Sequence, residues 1–289
     1  MMAVSMQNTG ELRSLSQIFS PSNFNKVVRE NDFKLTERKV KKYFPRRKAT
    51  TYKTTLQLLY TQLQNEYCSE YFFKNNLFNE YFLEKYSLKT TTVFNEFKIG
   101  SSIADFVLLN GNAKVYEIKT DLDGLDKLKK QLNDYKQFAD LVYVVTSSKY
   151  VNKILTEYSD TTIGVIEFTS LNTFKEHKKA KSDSSQFNYI TIFKTLRKSE
   201  YLEITNELFG LTPNVPNTKI FRECLKLIST VDVIDFQRLA FNKIKKRKIK
   251  CPELLLSKKT PVELKQICYT LDFTKQEYGT LYKFLNKLV

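Results

Sequence analysis

Asp105, Glu117 and Lys119 stand in the stretch SSIADFVLLNGNAKVYEIKT, residues 101–120, each among apolar neighbours that alternate as strand residues do. A buried carboxylate or ammonium costs several kcal/mol unless it is paired, hydrogen-bonded or bound to a cation. The acid-x-Lys tripeptide means little by itself, because Asp32, Glu37, Glu96, Glu117, Asp134, Glu176 and Glu263 each begin one. What distinguishes Glu117 is its surroundings.

Side chains on a strand alternate, so Glu117 and Lys119 share a face while Tyr116 and Ile118 point the other way. A three-residue loop, Asn110-Gly111-Asn112, pairs Leu109 with Ala113 and therefore Asp105 with Glu117; a two-residue loop puts the two acids on opposite faces. If Gly100-Ser101 is a two-residue turn, Glu96 lies opposite Asp105. The expectation is a row of three carboxylates, Glu96, Asp105 and Glu117, with Cβ atoms about 4.5–5.5 Å apart, a spacing at which like charges destabilise. A divalent cation reverses that sign. Oxygen donors without histidine or thiolate suit Mg²⁺ or Mn²⁺, and Lys119 is placed to position or deprotonate a water or to neutralise charge on a phosphorane. These are the parts of phosphodiester hydrolysis. The plainer alternative is an exposed strand face on which Lys119 pairs with Glu117 or Asp105.

Composition prunes other chemistries. His177, the single histidine, lies in FKEHKKAKSDSS, which reads as a polar linker, and Cys68, Cys224, Cys251 and Cys268 form no C-x-x-C pair. A zinc site, a disulfide framework and histidine-based hydrolysis are therefore unsupported. The formal net charge of +16 favours polyanionic partners, with nucleic acid first. Two clusters, ERKVKKYFPRRK and NKIKKRKIK, supply Lys41, Lys42, Arg46, Arg47 and Lys48, and Lys245, Lys246, Arg247 and Lys248, as phosphate contacts; a solvated basic face is the alternative. No apolar run approaches the roughly 20 residues that span a bilayer, and the first residues lack a secretory pattern, so a cytoplasmic protein without membrane contact is expected.

The elements that must position these residues follow from periodicity. Residues 51–87 contain no Gly or Pro and repeat apolar residues at three and four, which predicts one or two long helices. TTTVFNEFKIG, SIADFVLLN and AKVYEIKT predict three strands. DLDGLDKLKKQLNDYKQFAD predicts a helix with a stripe of Leu125, Leu128, Leu132 and Tyr135, followed by the strand LVYVVTS, a short helix and a last strand, TIGVIEF. The fold class is α/β (α+β), a mixed sheet flanked by helices. The expected division is a basic helical segment over 1–50, the core over 51–175, a linker over 176–186 and a helical C-terminal domain over 187–289.

A strand bearing Asp105, a turn, Glu117-x-Lys119 on the next strand and then a helix carrying Gln131 resembles the PD-(D/E)xK nuclease superfamily, whose fold is that of many restriction endonucleases. VYEIKTDLDGLDKLKKQLNDY and the later FKTLRKSEYLE resemble an uncharacterised bacterial and phage branch of it. The match is specific over about 94–168. Ala104 replaces the motif's proline. The resemblance implies a restriction-endonuclease-like core and Mg²⁺- or Mn²⁺-dependent endonuclease activity, with DNA favoured over RNA and a setting in phage defence or mobile elements. It implies metal ligation by Asp105, Glu117 and the Ile118 carbonyl, a site role for Gln131, and Tyr135 packed beneath. A further acid from the preceding helix, Glu70, Glu80 or Glu84, rivals Glu96, with Glu80 the second choice. The alternative on the same fold is a catalytically silent nucleic-acid-binding module, or one switched by a regulatory partner or a second copy through the C-terminal domain.

Overall fold

The structure, a computed structural model, describes residues 9–44, 50–67 and 69–289. The chain begins with helices α1 (Thr9–Ser16), α2 (Pro21–Asn25), α3 (Lys34–Tyr43), α4 (Tyr52–Glu66) and α5 (Glu70–Asn76); α2 and α5 run on as π-helical turns, Lys26–Glu30 and Leu77–Leu83. Strands β1 (Thr92–Ile99), β2 (Ser102–Asn110) and β3 (Asn112–Lys119) follow, then α6 (Leu128–Lys136), β4 (Leu141–Ser147), α7 (Ser148–Glu157), β5 (Gly164–Phe168) and β6 (Phe174–Lys178). Helices α8 (Tyr189–Thr195), α9 (Lys198–Phe209), α10 (Asn217–Ile228), α11 (Val233–Lys245), α12 (Pro252–Leu255), α13 (Lys265–Leu271) and α14 (Lys275–Leu285) complete it. The class is α+β, as expected.

Among the described residues six strands form one mixed sheet in chain order. β1, β2 and β3 are an antiparallel meander; β4 and β5 join in parallel, and β6 closes the edge antiparallel. The parallel pairings require crossovers, which α6 and α7 supply. Val115, Val144 and Val165 of the sheet share one core with Leu128 and Leu132 of α6 and Val151 and Ile154 of α7. That burial explains why LVYVVTS is nearly continuous in apolar residues.

Two elements depart from expectation. α6 starts at Leu128 rather than near Asp121, because Asp123 Oδ2 accepts from both the Thr120 N–H and the Thr120 hydroxyl at 2.8 Å. Such a side-chain turn competes with helix formation. β6 occupies the start of the expected 176–186 linker; its polar, largely exposed side chains are those of a guarded edge strand, which composition alone does not separate from a linker.

The chain divides into two compact units, one of residues 1–85 with Ile249–Val289, the other Tyr86–Lys248. In the first, the described backbone pairs Thr51 with Leu288, and the Tyr52 N–H donates to the Lys287 carbonyl at 3.0 Å. Arg29 donates to Glu277 Oε1 at 2.6 Å and to the Leu271 carbonyl at 2.8 Å. In the second, Ile192, Phe193, Phe236, Ala240 and Ile244 of α8 and α11 join the sheet's core. The expected division therefore does not hold: 51–85 belong with the first unit, and 187–289 are shared between the units rather than forming a C-terminal domain. Periodicity tells which face of a helix is buried, not which neighbour buries it. No helix among the described residues is long and apolar enough to cross a membrane.

Candidate functional site

The hairpin register is the one counted from the sequence. Leu109 pairs with Ala113 and Phe106 with Tyr116 around Gly111, whose φ is 74°. Beyond the last ladder pair Asp105 faces Glu117 by count, and Asp105 Oδ2 accepts from the Ile118 N–H at 2.8 Å. The β1–β2 turn pairs Ile99 with Ser102 around Gly100, φ 61°. Asp134 of α6 accepts there from the Ser101 N–H at 3.2 Å and from the Ser101 and Ser102 hydroxyls at 2.7 Å each, fixing the helix to the hairpin.

That attachment sets two residues of α6, one turn apart, over β3. Gln131 Nε2 donates to Glu117 Oε1 at 2.5 Å, and Lys119 Nζ donates to the same oxygen at 2.8 Å and to Gln131 Oε1 at 2.9 Å. Glu117, Lys119 and Gln131 thus close a ring of hydrogen bonds. The Tyr135 hydroxyl, with one proton to give, lies 2.6 Å from Glu117 Oε2 and 2.9 Å from the Ile103 carbonyl. Glu117 is 2% exposed and Lys119 8%, so this strand face is not a solvated one. Burial, and then the Asp105 carboxylate, push the Glu117 carboxyl up to about 7 against the pull of Lys119. Burial and then Glu117 push Tyr135 well above the ordinary phenol range, which keeps it a neutral donor.

The third carboxylate does not join in. Glu96 would face Asp105 by count, but the ladder passes from Asn95–Phe106 to Phe97–Ala104 without that pair; Glu96 is exposed and its backbone is left-handed, φ 54°. The kink brings Phe94 and Phe97, three residues apart, to 5.1 Å between ring centroids in one core, where regular alternation would separate them. Glu70, Glu80 and Glu84 belong to the first unit. Among the described residues no group of three or more His, Cys, Asp or Glu is set to hold a metal, so the expected three-acid row is corrected to two acids. With Glu117 ionised, Asp105 and Glu117 against Lys119 leave one net negative charge where Glu117 and Lys119 are buried and Asp105 is half-buried. Two carboxylates fit Mg²⁺, which keeps waters and takes phosphate oxygens for its remaining positions.

Around the site, the loop after β3 is held by the N-terminal end of α7. Ser147 bonds Asp121, Lys149 Nζ donates to the Asp121 carbonyl at 2.8 Å, and the Tyr150 hydroxyl donates to the Asp123 carbonyl at 2.9 Å. Residue spacing does not signal these contacts, nor the pairing of His177, which sits on β6 with Nε2 2.6 Å from Glu167 Oε2. Its linker-like setting concealed a strand pairing.

The basic candidates separate. Lys41 and Lys42 are exposed on α3; Arg46, Arg47 and Lys48 lie outside the described residues. Lys246 and Lys248 are exposed and Lys245 is half-buried. Arg247 is engaged within the chain and not free for a phosphate: its guanidinium donates to Glu200 Oε1 at 2.7 Å, to Glu200 Oε2 at 2.5 Å and to the Thr195 carbonyl at 3.0 Å. A bidentate pair with few donors left over makes it a brace between helices.

Comparison with known proteins gives a relative rather than a chemistry. A family model described as bacteriophage P4 protein cII matches residues 63–280, a span that contains Asp105, Glu117, Lys119 and Gln131. Protein cII of Enterobacteria phage P4 is 29% identical over 171 residues, covering 57% of this chain and 60% of that protein. A Silicibacter pomeroyi protein of unknown function is 12% identical, with 45% of this chain and 87% of that one aligned at a TM-score of 0.28, too low to bear on the fold.

Proposed function

The chain belongs to the bacteriophage P4 protein cII family, and we propose that in it Asp105, Glu117 and Lys119 serve a metal-dependent nuclease of the PD-(D/E)xK kind, hydrolysing phosphodiester bonds with DNA favoured over RNA. The observation that carries the reading is the ring of Glu117, Lys119 and Gln131 with Asp105 across the hairpin. It supplies each residue type of the motif on the strand or helix where the resemblance calls for it.

Asp105, Glu117 and the Ile118 carbonyl would hold Mg²⁺ or Mn²⁺, which when bound activates a water and neutralises charge building on the phosphate. The chain's own residues do the rest. Gln131 fixes Lys119 by accepting from Nζ, and so points an ammonium at the place where negative charge develops. Tyr135 and Gln131 hold the two oxygens of Glu117, so the carboxylate keeps one orientation. Lys41, Lys42, Lys246 and Lys248 are exposed cations for phosphate contacts.

A second reading rests on the same ring. Both Glu117 oxygens are engaged within the chain, as in a polar cluster that holds a fold without turnover, and the protein would then bind nucleic acid silently or await a partner. Incubation of plasmid DNA, single-stranded DNA and RNA with Mg²⁺, Mn²⁺ or EDTA decides between them. Metal-dependent cutting that falls at least 100-fold in both Asp105→Ala and Lys119→Ala is the expected result. Binding without cutting, equal in all three proteins, overturns the nuclease reading.

A further inference from the structure

The first unit holds a cavity of about 480 Å³ lined by residues of α2, its π-helical continuation and α3. Lys26, Lys34 and Arg38 line it together with Asp32, Ser22 and Gln17. Lys34 and Arg38 are four residues apart and therefore neighbours on one helix face, while Thr36, Lys39, Val40 and Tyr43 are the buried residues of the same helix. Lys26 comes from the start of the π-helical turn, whose Val27 and Val28 are buried. All three cations are exposed, and among the described residues none of them is ion-paired.

Three like charges around one concavity repel one another, and the single carboxylate there, Asp32, already accepts from the Lys34 N–H at 3.0 Å. A bound anion offsets that repulsion. The volume falls in the roughly 300–1,000 Å³ range of small-molecule sites. A guanidinium fork beside two ammonium groups matches phosphate oxygens, whereas Asp32, an acceptor only when ionised, suits a hydroxyl or amino donor. Phosphate with hydroxyl and amino groups nearby is the chemistry of a nucleotide.

We propose that this cavity binds the phosphate ester of a nucleotide, with Lys26, Lys34 and Arg38 on phosphate oxygens and Asp32 accepting from the sugar or base. The site shares no residue with the carboxylate site on the sheet. The test uses the full chain in EDTA, so that no probe is cleaved: AMP and ATP by titration calorimetry, and a fluorescein-labelled single-stranded 12-mer by anisotropy. The variants are the pair Lys34→Glu with Arg38→Glu and, as a charge-matched control at two exposed positions of α14, Lys275→Glu with Lys283→Glu; melting temperatures check that all are folded. A loss of at least tenfold in AMP or ATP affinity in the pair, with the control unchanged, establishes a site for the free nucleotide. The same loss confined to the 12-mer supports the same phosphate chemistry delivered by a strand. Absence of binding by the unmodified chain, or equal affinities in the pair and the control, overturns the proposal.

Discussion

Gln131 is the residue on which the polar cluster turns, because its amide both accepts from Lys119 and donates to Glu117. Neither a carboxylate nor an apolar side chain can do both. Gln131→Leu removes one hydrogen bond from the Lys119 ammonium and one from Glu117 Oε1, leaving those two groups only each other, and is expected to cost about 1–3 kcal/mol, read as a lower midpoint in urea; Gln131→Glu keeps the acceptor but sets a second carboxylate against Glu117. A pH effect also belongs to this scale. The Glu117 carboxyl is raised to about 7 in the folded chain, from an ordinary value of 4.5. Between those values the folded state binds the extra proton, so its contribution to stability is full below about 4.5 and is lost as pH rises through about 7. In EDTA, urea midpoints should therefore fall over that interval, and Glu117→Gln should flatten the profile. A profile unaltered by the substitution removes Glu117 as its source.

At the scale of elements, Asp105 and Glu117 were legible because counting a hairpin needs only loop length and side-chain alternation. The count failed at Glu96 because it assumes a regular strand, and a left-handed residue inside β1 breaks the alternation without leaving any composition signal. Glu96→Gly tests that account. A left-handed backbone costs a non-glycine residue roughly 1–2 kcal/mol, and glycine's extra unfolded freedom takes back about 0.5–1 of it. The variant is thus expected to melt at the same temperature or slightly higher and to keep any metal-dependent cleavage, whereas Glu96→Val, which is β-branched, should melt lower. Lost cleavage in a stable Glu96→Gly protein would restore Glu96 as a ligand. The same physical limit hid β6, whose charged residues satisfy an edge strand as well as a linker, and Arg247, whose sequence neighbours are basic while its partner, Glu200, is 47 residues away.

For the whole molecule, helical patterns after β6 suggested a separate domain, but their apolar faces complete the sheet's core and the first unit instead. A chain ending at Gln186 would lack Ile192, Phe193, Phe236 and Ile244, all 0% exposed in the sheet's core. Losing those four buried side chains, at about 1.5–3 kcal/mol each, is comparable with the usual total stability of roughly 5–15 kcal/mol. Near-UV circular dichroism of that fragment should show no fixed tertiary packing; a native-like spectrum with a sharp melt would mean the expected boundary was right. The backbone pairing of Thr51 with Leu288 carries a consequence for synthesis. Everything from 86 to 248 must leave the ribosome between these two partners, so the sheet and its carboxylates can form during translation, while the helices of 9–85 wait for helices of 249–289 not yet made. During that interval the aromatic faces that pair with 249–289 lack their partners, so the first unit is completed only after the second has been made.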